Sequence, residues 1–88
     1  MNKVSPGDVR EFLTSKYSEA IRGMGFDAAT LPDNFDFLLS GVVDSFGILE
    51  MVSAIEQQFG IELDLANLDA EQMTIIGPLS RYVAESAR

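Results

Sequence analysis

Apolar side chains recur at Val9, Phe12, Leu13, Tyr17, Ala20, Ile21 and Met24, three or four residues apart, with polar residues between them. That period lays one apolar stripe along a helix. Its start is marked by Ser5-Pro6-Gly7-Asp8, an N-cap serine followed by proline at the first helical position and an acidic third position. Gly23 and Gly25 mark its end, so a helix is predicted over about residues 6–23. The same spacing returns at Ile48, Met51, Val52, Ile55 and Phe59, which predicts a second helix from about Ser45 to Phe59, stopped by Gly60. Its solvent face would carry Glu50, Ser53, Ala54, Glu56, Gln57 and Gln58.

Between these helices lies a stretch that is neither periodic nor free. Asp27, Pro32, Asp33 and Asn34 form loops, yet Phe26, Leu31, Phe35, Phe37, Leu38, Leu39, Val42 and Val43 are too apolar for a linker. A structureless loop of about 20 residues is uncommon in so small a domain. A long connection packed over the core is expected, with one helical turn near Asp33–Leu39; it reads as either a lid on the core or a functional loop. Past Gly60, Ile61-Glu62-Leu63-Asp64-Leu65 alternates like a strand but has no partner, so an extended link is expected. Asp69-Ala70-Glu71-Gln72-Met73 predicts one short helical turn. A last helix should begin near Thr74 or Gly77, with Pro78 in its first turn, bury Leu79, Tyr82 and Val83, and fray by Arg88. Each helix alone would be marginal in water, so mutual packing must stabilise them.

Length changes the picture little: 88 residues make one domain, 1–88, with no room for a second core. Charge changes it more. Fourteen acidic against six basic residues give a formal net charge of −8. Phosphate backbones and anionic membrane surfaces are repelled by such a chain, and a basic protein surface is its natural complement. No apolar run reaches membrane-spanning length, so no membrane insertion is expected. The chain has no Cys and no His. Disulfides, usual structural zinc sites, thiol nucleophiles and imidazole bases are thereby excluded, and a metal site or an autonomous catalytic centre is not expected. A calcium loop counted from Asp64 fails, because Asp69 falls where the turn glycine belongs and Ile75 where the bidentate glutamate belongs.

Candidate chemistry narrows to Asp44-Ser45. The pair ends a loop and opens a helix, presenting a hydroxyl where unpaired N–H groups and the helix dipole favour negative charge. On local sequence alone it reads as an ordinary N-cap and helix start. The Gly-x-Ser-x-Gly elbow is missing, since Val43 stands at the first glycine position.

The wider pattern adds to this. Gly41-x-x-Asp44-Ser45-Phe46, then Glu50-Met51-Val52, Ala54-Ile55-Glu56 and Phe59-Gly60-Ile61, resembles the acyl carrier proteins, and Asp69-Ala70-Glu71 with Met73-Thr74 looks like that family's third-helix region. The resemblance implies an all-α four-helix bundle: three main helices plus one short helix, with a long loop between the first two. It implies a 4′-phosphopantetheine arm attached covalently to Ser45, whose terminal thiol carries acyl or aminoacyl groups as thioesters. Asp44 would help a phosphopantetheinyl transferase position its metal-bound coenzyme A. Phe46, Leu49, Glu50 and Glu56 would dock acyl- or aminoacyl-activating ligases and acyltransferase or synthase enzymes. Core packing stays open for Phe46 and Leu49, and plain solvation for Glu50 and Glu56. A cytoplasmic monomer that is a carrier rather than an enzyme is expected. Phe46, Gly47 and Gln57-Gln58 depart from the family's commonest residues, a variant that looks like discrete carriers outside core fatty-acid synthesis. The cargo, whether fatty acyl, polyketide, aminoacyl or peptidyl, stays open. So does a reading from another class, an acidic helical adaptor that is never modified.

Overall fold

Local signals set the helix ends. In the computed structural model, which describes residues 4–87, Ser5 and Asp8 cap the first helix reciprocally. The Asp8 N–H donates to Ser5 Oγ at 3.1 Å, and the Ser5 N–H donates to Asp8 Oδ2 at 3.0 Å. Helix α1 spans Pro6–Lys16, α2 Ser18–Gly23, α3 Ser45–Phe59, α4 Ala70–Thr74 and α5 Ile76–Ser86. Single 3₁₀ turns lie at Ala28–Thr30 and Leu65–Asn67, and the described residues form no strand. Gly60, in the left-handed conformation at φ 66°, ends α3. The expected fraying at Arg88 lies outside the described residues.

The expected helix over 6–23 exists in two pieces. Tyr17 leaves helical geometry, with φ −107° and ψ 19°, and separates α1 from α2. Its ring lies 5.9 Å from that of Phe37. The buried row is Val9, Leu13 and Ile21, whereas Ala20 and Met24, expected on the apolar stripe, are exposed. Only Ile21 of the six-residue α2 is buried, so this short helix sits at the bundle's edge and meets the core along one narrow row.

Helices α1 and α3 run antiparallel. Phe12 meets Phe59 edge-on at 5.6 Å near one end, and Tyr17 lies beside Glu50 and Ala54 toward the other. Ile48, Met51, Val52 and Ile55 of α3 join Ile76, Leu79 and Val83 of α5 in the core.

The long connection is a packed strap. It carries a 3₁₀ turn at Ala28–Thr30, where Asp27 caps the Ala29 N–H at 3.0 Å, and then, close to the expected place, one uncontinued helical turn. That turn closes Asp36–Ser40, with the Ser40 N–H on the Asp36 carbonyl at 3.0 Å, and it does not extend into a helix. The reason is backbone pairing with the start of α5. The Phe37 N–H donates to the Thr74 carbonyl, the Ile76 N–H to Phe35 and the Gly77 N–H to Asp33, each at 2.9 Å. Extended pairing at Asp36–Ile75 is incompatible with a helix there. It also sinks Phe35 and Phe37 into the core, edge-on at 5.2 Å. From α1 the Arg10 guanidinium donates to the Leu31 carbonyl, and Arg81 of α5 pairs with Asp33 at 3.0 Å. The connection therefore closes the core.

After Gly60, residues 61–64 form neither helix nor strand and are anchored by Glu56, whereas Leu65, expected in the same extended link, opens the 3₁₀ turn. The Glu56 carboxylate accepts from the N–H of buried Leu63 at 2.8 Å. Glu56→Ala leaves that N–H without its charged acceptor, so a loss of about 1–2 kcal/mol is expected in urea unfolding. Glu56→Gln keeps an acceptor oxygen and should lose less than half as much. A Glu56→Ala midpoint equal to that of wild type would mean that the bond contributes nothing.

Candidate functional site

The N-terminus of α3 is delivered by the strap. Gly41 turns the chain at φ 83°, and the Val43 N–H donates to the Phe37 carbonyl at 3.1 Å, which sets the approach of Asp44. Asp44 is the N-cap: its Oδ1 accepts from the Gly47 N–H at 2.7 Å, and its carbonyl takes the Ile48 N–H at 3.0 Å. Gly47 costs helix propensity, but a Cβ there would stand 3.1 Å from the Val43 Cβ and 3.2 Å from Asp44 Oδ1. A side chain at 47 would crowd the cap, so the glycine is explained by Asp44 and Val43.

Ser45, the first residue of α3, is exposed. None of the side-chain hydrogen bonds among the described residues uses its hydroxyl. At this position the Ser45 and Phe46 N–H groups lie ahead of the first intrahelical bond and point outward from the helix start. The site thus offers a free, solvated hydroxyl, two backbone donors and the positive end of a 15-residue helix. An ester phosphate fits there, and the chain has no imidazole to activate the hydroxyl.

Beside Ser45 runs an apolar groove of about 290 Å³. Ile48 and Leu49 form one side, Ala70, Met73 and Thr74 of α4 another, and Leu38 of the strap closes it. Sequence reasoning missed Leu38, Met73 and Thr74 as site residues. The available signal was Asp36-Phe37-Leu38-Leu39-Ser40-Gly41, a turn sequence carrying two leucines that the strap's own core positions do not need.

The four residues expected to meet partners are placed differently from one another. Phe46 and Leu49 are 68% and 52% exposed, which removes core packing as their main role. Glu50 is exposed on the same side, four residues after Phe46. Glu56 is half-buried, with its carboxylate on the Leu63 N–H. Glu50 also faces Tyr17, whose phenol is pushed above its ordinary pKa, mainly by burial and secondly by the Glu50 carboxylate. Among the described residues no helix is long and apolar enough to cross a membrane.

The sequence is similar to known proteins. The family model described as a phosphopantetheine attachment site matches residues 21–77. The span runs from Ile21, the one buried residue of α2, to Gly77 in the first turn of α5, and contains Ser45 and the whole groove. The acyl carrier protein of Chlamydia caviae is 27% identical over 63 residues, covering 72% of this chain and 79% of that protein. No solved structure matches the chain.

Proposed function

Since the chain belongs to the acyl carrier protein family and contains its phosphopantetheine attachment region, we propose that residues 1–88 form one carrier domain whose Ser45 receives the 4′-phosphopantetheine arm. The observation that carries this is the exposed, unengaged Ser45 hydroxyl at the start of α3, beside an Asp44 whose Oδ1 is held by Gly47. When bound, the arm supplies a flexible tether ending in a thiol that takes up acyl groups as thioesters. In the attachment the Ser45 Oγ–P bond forms as the pyrophosphate bond of coenzyme A breaks. Adenosine 3′,5′-bisphosphate leaves, and the hydroxyl proton passes to a base of the transferase.

The chain's own residues present and orient the acceptor. Asp44 caps the helix start through Gly47 and is exposed, so its carboxylate would meet the metal-bound coenzyme A of the transferase. Phe46, Leu49 and Glu50 form an apolar and acidic face on the first turns of α3 for basic, partly apolar surfaces of acyl-activating ligases and acyltransferases. Glu56 can share only the lone pairs that Leu63 leaves open. With a net charge of −8, association with such partners should slow as salt rises.

Incubation with coenzyme A, Mg²⁺ and a broad-specificity transferase tests the reading. Wild type should gain one phosphopantetheine by intact mass, quantitatively. A folded protein that gains none beside a control carrier that is fully converted would leave the unmodified adaptor as the better account.

A further inference from the structure

We propose that Asp36 is a positioning residue that sets the opening of the groove beside Ser45, acting through Thr74 as a side-chain latch. The groove has two walls from parts of the chain far apart in sequence, Leu38 in the strap and Met73 with Thr74 in α4. One carboxylate joins them. Asp36 Oδ1 accepts from the N–H groups of Leu38 and Leu39 at 2.9 and 3.0 Å, which fixes the turn carrying the Leu38 wall. Asp36 Oδ2 faces the Thr74 hydroxyl at 3.3 Å, across 38 residues. The backbone pairing of Phe37 with Thr74 and of Phe35 with Ile76 holds the two segments together without the side chain. What the carboxylate adds is the position of the leucine turn relative to α4, and so the width of the groove.

The latch is built to give. Thr74 has one hydroxyl proton and two acceptors in reach, the Ala70 carbonyl at 3.1 Å and Asp36 Oδ2 at 3.3 Å. A hydroxyl donates once, so each full bond to Ala70 releases Asp36. Leu39, at the far edge of the same turn, is 86% exposed and packs against little that would resist a swing. Widening the groove therefore requires the loss of one shared hydrogen bond and no break in helix or core.

The occupant that the walls select is an aliphatic segment tethered at Ser45, since the side chains of Leu38, Ile48, Leu49, Ala70 and Met73 are apolar. Two sources have that chemistry, the arm's own methyl-bearing portion and a carried acyl chain. The inference rests on Ser45 as the attachment point.

Methyl-resolved NMR of the full chain tests it, with loading followed by intact mass. Shifts of the Leu38, Ile48, Leu49 and Met73 methyls are read in the unmodified, holo, acetyl-loaded and octanoyl-loaded forms. In wild type these methyls should move on loading. Movement already in the holo form assigns the groove to the arm, and movement only with octanoyl assigns it to the chain; either supports the proposal. In Thr74→Val and Asp36→Ala, where the latch is already released, the groove methyls of the unmodified protein should already be displaced from their wild-type shifts, so the further change on loading should fall to half or less. Thr74→Ser and Asp36→Asn should restore the wild-type response, because Asn can accept from both N–H groups and donate to Thr74. If Asp36→Ala fails to fold, Thr74→Val decides, since it leaves the turn capped. The proposal is overturned if groove methyls ignore every loaded form of wild type, or if Thr74→Val responds as wild type does. A wild type that gains no arm by mass fails earlier, and then the carrier reading falls together with this one.

Discussion

Ser45→Ala is expected to gain no phosphopantetheine under conditions that convert wild type completely, while keeping the wild-type unfolding midpoint. The first half follows from chemistry. An ester needs the Ser45 Oγ, and the nearest other hydroxyls in sequence, Ser40 and Ser53, lie outside the helix start. Ser40 Oγ is already bound to the Phe37 carbonyl at 3.2 Å and accepts from the Val42 N–H at 3.3 Å. The second half follows from burial: Ser45 is exposed and the cap belongs to Asp44, so the substitution should change stability by less than about 0.5 kcal/mol. Intact mass reads the first effect and urea unfolding the second. Residual modification in Ser45→Ala would move the site elsewhere. Asp44→Asn refines the test. Asparagine caps as well as aspartate, so the fold should hold. Loss of the carboxylate's charge should nevertheless slow the transferase, and an unchanged rate would remove Asp44 from the site.

Phe37→Ala is the substitution expected to cost most stability. The side chain is fully buried, edge-on to Phe35 at 5.2 Å and 5.9 Å from Tyr17, so truncation leaves a cavity that the backbone pairing with Thr74 keeps from collapsing. Such truncations cost about 3–5 kcal/mol. A domain of this size is stable by only about 4–13 kcal/mol, so a large part of its stability would go. The thermal midpoint should drop by at least about 12 °C, or cooperative melting should vanish. Phe46→Ala, at 68% exposure, is the control: its midpoint should stay within a few degrees of wild type while partner binding weakens. If the two variants melted alike, the strap would not be the core element that its burial indicates. The functional consequence runs through the same residue, because the Phe37 carbonyl holds the Val43 N–H one residue before Asp44. A loosened strap would misplace the acceptor site as well.

How much could be read from the chain depends on the range of the interaction. The ends of α3, the Ser5 cap, the stop at Gly60 and the place of Ser45 were all legible, because helix periodicity and capping act within four residues. The missing His and Cys likewise excluded an imidazole base and a thiol nucleophile beside Ser45 without any coordinates. The strap was legible as apolar, packed and turned once near Asp36–Ser40, but its 3₁₀ turn at Ala28–Thr30 and its pairing with the start of α5 were not. Extended pairing of Phe35–Phe37 with Thr74–Ile76 overrides the local preference there. Tyr17's break and the exposure of Ala20 and Met24 were hidden for a similar reason: an apolar period shows that a face exists but cannot show how far the core extends beneath it. Glu56 looked like surface charge until its bond to Leu63 appeared. The groove was illegible altogether, since Asp36 and Thr74 meet across 38 residues and no local pattern encodes that meeting. Short-range hydrogen bonding thus placed the hydroxyl in the sequence. Long-range packing shaped what lies beside it, because burial depends on which distant segments the folded chain brings into contact.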